Sequence, residues 1–175
     1  TNQGQSNDSG DESNNTVVVN TKILKEADPS MINTYTLLAV NPDAPFVDAD
    51  GKAVSDVAIN TEGAAALIEW MLSDEGLELA GAYGQAEYGD SLFYVKDDAP
   101  RYLGEIADAT EDTKTIRLST TTSVNDSGLL GALLPVFEEE YGYTVEVQSA
   151  GTGKAIAAAQ YGNADLILVH AKSQE

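Results

Sequence analysis

The stretch TIRLSTTTSVNDSGLLGALLPVFEEEYGYTVEVQSAGTGKAIAAAQYGNADLILVH, residues 115–170, decides the fold of this chain. Apolar or alternating segments at residues 116–119, 143–148 and 165–170 have the pattern of strands. A leucine-rich segment and an alanine-rich segment separate them, and both have the composition of helices. Because the order β-α-β-α-β requires right-handed crossovers between parallel strands, we predict an α/β fold. Its sheet is mostly parallel and has helices on both faces, in three layers.

The leucine-rich segment places its apolar side chains on one helical face, at positions 129, 130, 133, 134 and 137. Pro135 lies inside this segment and predicts a kink or a break into two turns. Gly142 follows and predicts a helix end with a left-handed residue. The single histidine, His170, ends the last strand and is predicted to be in the core or hydrogen-bonded there.

Two polar turns follow strands of the predicted sheet. TTTSVNDSG, residues 120–128, follows the first strand, and SAGTGK, residues 149–154, follows the second. Ligands of parallel sheets bind outside the carboxyl ends of the strands. Hydroxyl groups and the N–H groups of helix starts can hold a small anion there without a side-chain cation. The alternative interpretation is that these serines and threonines only cap helices.

Upstream of this stretch, the sequence predicts two further strands, at residues 17–19 and 34–40. A polar stretch with proline and glycine follows the second of them and is predicted to be a loop. Apolar residues at positions 64, 67, 68, 71 and 72 then predict a helix with Thr61 as its N-cap. Trp70 on this helix is predicted to pack in the interior, and a short second helix is expected directly after it.

Composition divides the chain into a tether and one lobe. Residues 1–15 contain no aliphatic side chain and are predicted to be a solvated, disordered tether. Such tethers often follow the lipid-modified cysteine of bacterial surface lipoproteins, so we expect an extracytoplasmic protein, either a cell-surface lipoprotein or periplasmic. Residues 16–175 are predicted to form a single α/β binding lobe. It consists of a block at residues 16–103, an acidic linker at 104–114 and a second block at 115–175.

Charge excludes several classes of partner. The chain has 29 acidic and 9 basic residues, for a formal net charge of −20. This field repels nucleic acid, and no basic cluster interrupts it. The field also opposes the approach of any small anion, so an anion site must rely on neutral donors at short range. No apolar run is long enough for a membrane span, and the absence of cysteine excludes thiolate metal sites.

No cofactor, metal or catalytic site is predicted. SAGTGKA has a glycine-lysine pair, but Gln148 stands where a phosphate-binding loop needs its first glycine. Ala155 replaces the hydroxyl that would hold magnesium. A lone histidine cannot build a zinc site, and no nucleophile–base pair is apparent. We therefore predict that the chain is not an enzyme.

The second block resembles the TupA-like tungstate- or molybdate-binding components of ABC transporters, which have a type II periplasmic-binding-protein-like fold. The resemblance rests on four segments: TTTS at residues 120–123, DSGLL at 126–130, GTGKA at 151–155, and the segment from Gly162 to Ala171. It covers about 55 residues of the 175 and implies a solute-binding protein.

The first block resembles the far end of the same family. KILKEADPSMINTYTLLAVNPDAP, residues 22–45, is similar to the strand that returns from the second lobe to the first. GAAALIEWMLSDEGLELAGAYGQAEYGDSLF, residues 63–93, is similar to the closing helices. The family's end thus precedes its beginning, and the middle, which builds the second lobe, has no counterpart. We predict a circularly permuted single lobe; a slice across two tandem copies remains an alternative and predicts the same folded unit.

The resemblance implies that hydrogen bonds to a tetrahedral oxyanion come from Thr121, Thr122, Ser123, Ser149, Thr152 and the N–H groups near Gly153. It further implies a small oxyanion, tungstate or molybdate, as ligand and the membrane subunit of an ABC transporter as partner. The exposed face where a second lobe would dock is also available to a partner protein or to a second copy of the chain. The alternative function is a degenerate, ligand-free lobe that serves as a cell-surface interaction or scaffold module.

Overall fold

In the computed structural model, residues 34–170 are described, and they fall within one compact unit. The predicted tether and the strand predicted at residues 17–19 lie outside the described residues. Within them, four strands form one sheet: β1 (Thr36–Ala39), β2 (Thr115–Thr121), β3 (Thr144–Ala150) and β4 (Leu166–Val169). The strand order is β1-β4-β2-β3, with β2 parallel to β3 and β4, and β1 antiparallel to β4. The predicted mostly parallel α/β sheet is confirmed.

Helices cover both faces of this sheet. The described helices are α1 (Thr61–Met71), α2 (Asp74–Ala82), α3 (Gln85–Tyr88), α4 (Thr122–Asp126), α5 (Leu129–Tyr141) and α6 (Thr152–Gln160). Leu166 and Leu168 of β4 belong to the core that contains residues of α1 and α5. Ile167 and Val169 point to the other side, where they pack with Ala155 of α6. Since successive side chains of a strand alternate between faces, this division confirms the predicted three layers.

Trp70 joins the two blocks of the sequence in one core. Its side chain is fully buried, and its ring centroid lies 5.5 Å from that of Phe137 on α5. The indole Nε1 donates to the carboxylate of Glu75 at 3.2 Å. The predicted packing role of Trp70 is confirmed. Of the helices among residues 34–170, none combines the length and hydrophobicity that a membrane crossing needs.

The N-cap of α1 is Asn60, so the prediction of Thr61 is wrong by one residue. The side chain of Asn60 accepts from the amide of Gly63 at 2.9 Å. Its Nδ2 donates to the carbonyl oxygens of Thr113 and Thr115, at 2.7 and 2.8 Å. An asparagine amide can accept and donate at once, whereas a threonine in this place could not satisfy both carbonyls. Asn60 therefore caps α1 and also ties it to the start of β2.

Pro135 does not break α5, which runs without interruption from Leu129 to Tyr141. The predicted break is therefore wrong, whereas the predicted kink stays a prediction. Proline has no N–H group, so the carbonyl of Gly131, four residues earlier, has no amide partner in the helix. Pro135 and Gly131 both lie on the exposed face. Water can hydrogen-bond to that carbonyl at an exposed position, so the loss is tolerated. Gly142 ends the helix with φ of 76°, as predicted.

Residues 104–114 contain neither helix nor strand, but they are held against the lobe. The amide of Ala109 donates to the carbonyl of Tyr141 at 2.8 Å. The Tyr143 hydroxyl donates to the carbonyl of Ala107 at 3.0 Å, and burial raises the pKa of Tyr143, which keeps this phenol a neutral donor. Ile106 also packs against the core. The segment is thus docked along its length.

Candidate oxyanion site

The two predicted polar turns lie side by side at the carboxyl edge of the sheet. The parallel register of β2 and β3 pairs Thr120 with Ser149 and Thr121 with Ala150. Helix α4 begins directly after β2, and a single residue, Gly151, separates the end of β3 from α6. The structure therefore brings the six predicted site residues to one edge, although they come from two turns about 25 residues apart.

Helices α4 and α6, which follow the two strands, begin without a side-chain cap. The N-cap residues of α4 and α6 are Thr121 and Gly151, and neither forms a side-chain capping hydrogen bond. The alternative interpretation, that these serines and threonines only cap helices, thus does not account for Thr121. It does fit Ser127, which accepts from the amide of Leu129 at the start of α5, at 3.3 Å. Within residues 34–170, the hydroxyls of Thr122, Ser149 and Thr152 form no hydrogen bond. Thr122 and Ser149 are exposed and Thr152 is half-buried, so these hydroxyls are open to a ligand.

Two hydroxyls beneath this edge have structural partners instead. Strand β2 extends two residues beyond the predicted end and includes Thr120, which is fully buried. Its Oγ1 donates to the carbonyl of Leu168 at 2.8 Å, and Ser119 donates to the carbonyl of Ala155 at 3.1 Å. Both hydroxyls satisfy backbone acceptors inside the lobe and are not free for a ligand.

Ser123 and Thr121 belong to a chain of polar contacts that the sequence did not indicate. The Oγ atom of Ser123 lies 3.2 Å from Thr121 Oγ1 and 3.0 Å from His170 Nε2. Thr121 is buried, Ser123 is exposed, and His170 is half-buried. The prediction that His170 is hydrogen-bonded is confirmed. The sequence did contain one signal for this contact. His170 and the TTTS segment each lie at the carboxyl end of a predicted parallel strand, and such ends meet at the same edge of the sheet.

A second polar cluster, around Asp165, was also missed and lies at the opposite end of the sheet. The Asp165 side chain is fully buried and forms an ion pair with Arg117, with 2.6 Å between Oδ1 and NH2. It also accepts from the backbone amides of Asn60 and Arg117, at 2.8 and 2.7 Å. Sequence patterns could not reveal this cluster, because its members are separated by 48 and 105 positions.

Two surface pockets of the described lobe also lie at that opposite end. They measure about 340 and 370 Å³ and are lined by residues 58–62, 110, 112, 113, 115, 117 and 165. The candidate oxyanion site is not enclosed by either of them and stands open at the carboxyl edge. Among residues 34–170, no group of three or more metal-ligating side chains comes together.

The second block of this lobe is similar to known proteins. Residues 107–175 match the family model described as a PBP superfamily domain. A Haloferax volcanii protein, whose name describes an anion-binding protein of an ABC transporter, is 54% identical over 63 residues. These residues are 36% of this chain and 18% of the relative. The tungstate-binding protein TupA of Peptoclostridium acidaminophilum is 44% identical over 72 residues, 41% of this chain and 25% of that protein.

These matches confirm the resemblance predicted from the sequence: residues 107–175 are similar to the PBP superfamily domain and to anion-binding proteins of ABC transporters. The chain spans only 18% and 25% of the length of these relatives. The predicted absence of enzymatic activity agrees with the matches, which are binding proteins. A solved phosphate-binding protein of a phosphate ABC transporter from Streptococcus pneumoniae is 18% identical, with a TM-score of 0.46. That likeness covers 61% of this chain and 37% of the solved one.

Proposed function

We propose that this chain is the oxyanion-binding lobe of a solute-binding protein that serves an ABC transporter, with tungstate or molybdate as ligand. One observation carries the proposal. At the carboxyl ends of β2 and β3, the hydroxyls of Thr122, Ser149 and Thr152 form neither capping nor other hydrogen bonds within residues 34–170. The names of the matched relatives, anion-binding and tungstate-binding, support the class of ligand.

The turn before α6 adds backbone donors to these hydroxyls. A Cβ atom at Gly151 or Gly153 would meet no heavy atom within 4 Å, so the space above this backbone is open to a ligand. Helix α6 has nine residues, and its aligned peptides give its N-terminus about half a positive charge. Neutral donors of this kind suit a chain with a formal net charge of −20, because they act only at short range.

The open side of the site marks where a second lobe would attach. Strands β4 and β1 are antiparallel, with Thr36 paired to Val169. The end of β4 and the start of β1 therefore lie together, and the rings of Tyr35 and His170 are 5.3 Å apart. In the resembling family, the chain leaves for the second lobe after the first of these strands and returns by the second. We propose that a second lobe, whether from a longer chain or a partner, closes over the ligand from here.

The permuted order of the two blocks belongs to the same proposal. We propose that the tether at residues 1–15 precedes a single lobe. The first block of this lobe, residues 16–103, corresponds to the end of the family's sequence, and the second block, residues 115–175, corresponds to its beginning. Both blocks contribute to one sheet and one core, as the β1–β4 pairing and the contact of Trp70 with Phe137 indicate. The proposed location is extracytoplasmic, on the cell surface or in the periplasm, where the lobe meets the membrane subunit of its transporter.

A rearranged chain tests the permuted order. In this variant, residues 104–175 come first and residues 16–103 follow. Because Tyr35 and His170 are neighbours, the new connection spans a short gap, and we expect the same circular-dichroism spectrum and melting temperature as in the original order. A chain that fails to fold in the rearranged order would show that residues 104–114 are an essential connection. The permuted lobe would then have to be abandoned.

Isothermal titration with tungstate tests the ligand. We expect saturable binding to the original chain and binding about tenfold weaker or worse in Thr122→Val. A hydrogen bond to a charged group contributes about 1.5–3 kcal/mol, and about 1.4 kcal/mol corresponds to tenfold in affinity. Molybdate, sulfate and phosphate serve as comparison ligands.

Thr144→Val is the matched control for this titration. Thr144 is an exposed threonine of β3 at the amino end of the strand, away from the candidate site. The same chemical change there should leave the affinity for tungstate unaltered. If the original chain is folded and monodisperse but no oxyanion produces heat, the ligand proposal fails, and the alternative of a ligand-free interaction module stands.

A further inference from the structure

His170 occupies a place at the candidate site that its sequence position alone does not explain. Its Nε2 lies 3.0 Å from Ser123 Oγ, and its ring contacts the ring of Tyr35 edge-on, at 5.3 Å between centroids. Tyr35 packs in turn against Phe93, at 5.8 Å. The imidazole is thus held between an aromatic neighbour and the hydroxyl of Ser123. Within residues 34–170, no ionised side chain forms a hydrogen bond or ion pair with it.

The direction of hydrogen bonding at Ser123 decides whether this residue can serve a ligand. A serine hydroxyl has one hydrogen to donate and two lone pairs to accept with. If Ser123 donated to His170, its only hydrogen would be spent inside the protein. If His170 Nε2–H donates to Ser123, the hydroxyl hydrogen remains free. Thr121 Oγ1, at 3.2 Å, can fill the second lone pair by donating as well.

We propose that His170 is a positioning residue: its Nε2–H donates to Ser123 Oγ and thereby turns the Ser123 hydroxyl hydrogen toward the bound oxyanion. This inference rests on the proposed oxyanion-binding function. Thr121 acts in the same way from the other side, in agreement with its burial, since it is only 3% exposed. Thr121 then supports Ser123 and is not itself in contact with the ligand. The role requires a hydrogen on Nε2, which both the Nε2–H tautomer and the imidazolium carry.

Two substitutions of His170 separate this role from simple packing. His170→Leu fills space beside Tyr35 but has no donor, and His170→Gln offers an N–H donor in the same direction. By titration with tungstate, we expect His170→Leu to bind about tenfold more weakly than the original chain. His170→Gln should recover most of that loss. Melting temperatures of both variants, measured alongside, report any change in stability.

Ser123→Ala makes the test specific, because it removes the hydroxyl on which His170 is proposed to act. Adding His170→Leu to Ser123→Ala should cause no further loss of tungstate affinity, so that the two effects are fully coupled. If His170→Leu binds as tightly as the original chain, or weakens binding equally with and without Ser123, the positioning role is refuted while oxyanion binding stands. If the folded original chain binds no tungstate, the proposed function itself fails, and this inference fails with it.

Discussion

Asp165→Ala should lower the free energy of unfolding by about 3–5 kcal/mol, the usual cost of removing one partner of a buried ion pair. The carboxylate accepts from Arg117 through Nε and NH2, at 3.2 and 2.6 Å, and from the backbone amides of Arg117 and Asn60. Its loss leaves the guanidinium beside an empty site and two amides without acceptors. Urea denaturation followed by the fluorescence of Trp70, the chain's one tryptophan, measures the change.

Asp98→Ala is the matched control, because Asp98 forms its ion pair with Lys96 at the surface. The same substitution there should leave the free energy of unfolding almost unchanged, since exposed pairs are screened by water and salt. Asp165→Asn retains one acceptor oxygen and should fall between Asp165→Ala and the original chain. Equal stability of Asp165→Ala and Asp98→Ala would mean that the cluster around Asp165 does not hold the lobe together.

Trp70→Ala should destabilise the lobe by about 3–5 kcal/mol, the range for truncating a large buried aromatic side chain. Trp70 belongs to the first block of the sequence, whereas its aromatic neighbour Phe137 belongs to the second. The substitution therefore removes packing between the two blocks at the centre of the shared core. Urea denaturation followed by circular dichroism measures the effect, because this variant has no tryptophan fluorescence.

Trp70→Phe and Tyr94→Ala complete this series. Trp70→Phe leaves a smaller cavity and should cost less than Trp70→Ala, so it keeps the test informative if the alanine variant does not fold. Tyr94 is 73% exposed, and Tyr94→Ala should change the free energy of unfolding little. If Trp70→Ala were as stable as Tyr94→Ala, the first block would not share a core with the second, and the single-lobe architecture would be wrong.

Periodicity could predict those helices and strands whose apolar pattern comes from residues close together in the sequence. The apolar face of α5 and the alternation in β3 come from side chains a few positions apart, and the structure confirms both. Element ends were less predictable. Thr120 belongs to β2 because its backbone pairs with Ser149 of β3 and Leu168 of β4. Asn60, not Thr61, caps α1 because it also reaches the backbone at Thr113 and Thr115.

The candidate site also has features that the sequence predicted and features that it did not. Both donor-rich turns were apparent from the sequence, because strand–turn–helix order alone brings them to one edge of a parallel sheet. The roles of individual hydroxyls were not. Thr121 and Thr122 are chemically identical neighbours, yet Thr121 is buried against Ser123 and Thr122 is exposed. Only the packing of α4 against the sheet separates them.

By itself, then, the sequence determined the α/β class of this chain, the parallel order of its second block and the edge of the sheet where an anion could bind. These properties depend on local periodicity and chain direction. The tertiary structure alone decided the burial of Asp165 with Arg117, the contact of His170 with Ser123 and the joining of two blocks through Trp70. Each of these joins residues at least 47 positions apart. Such partners are selected by the fold of the whole chain, because burial and hydrogen bonding are properties of the assembled core and not of any short segment.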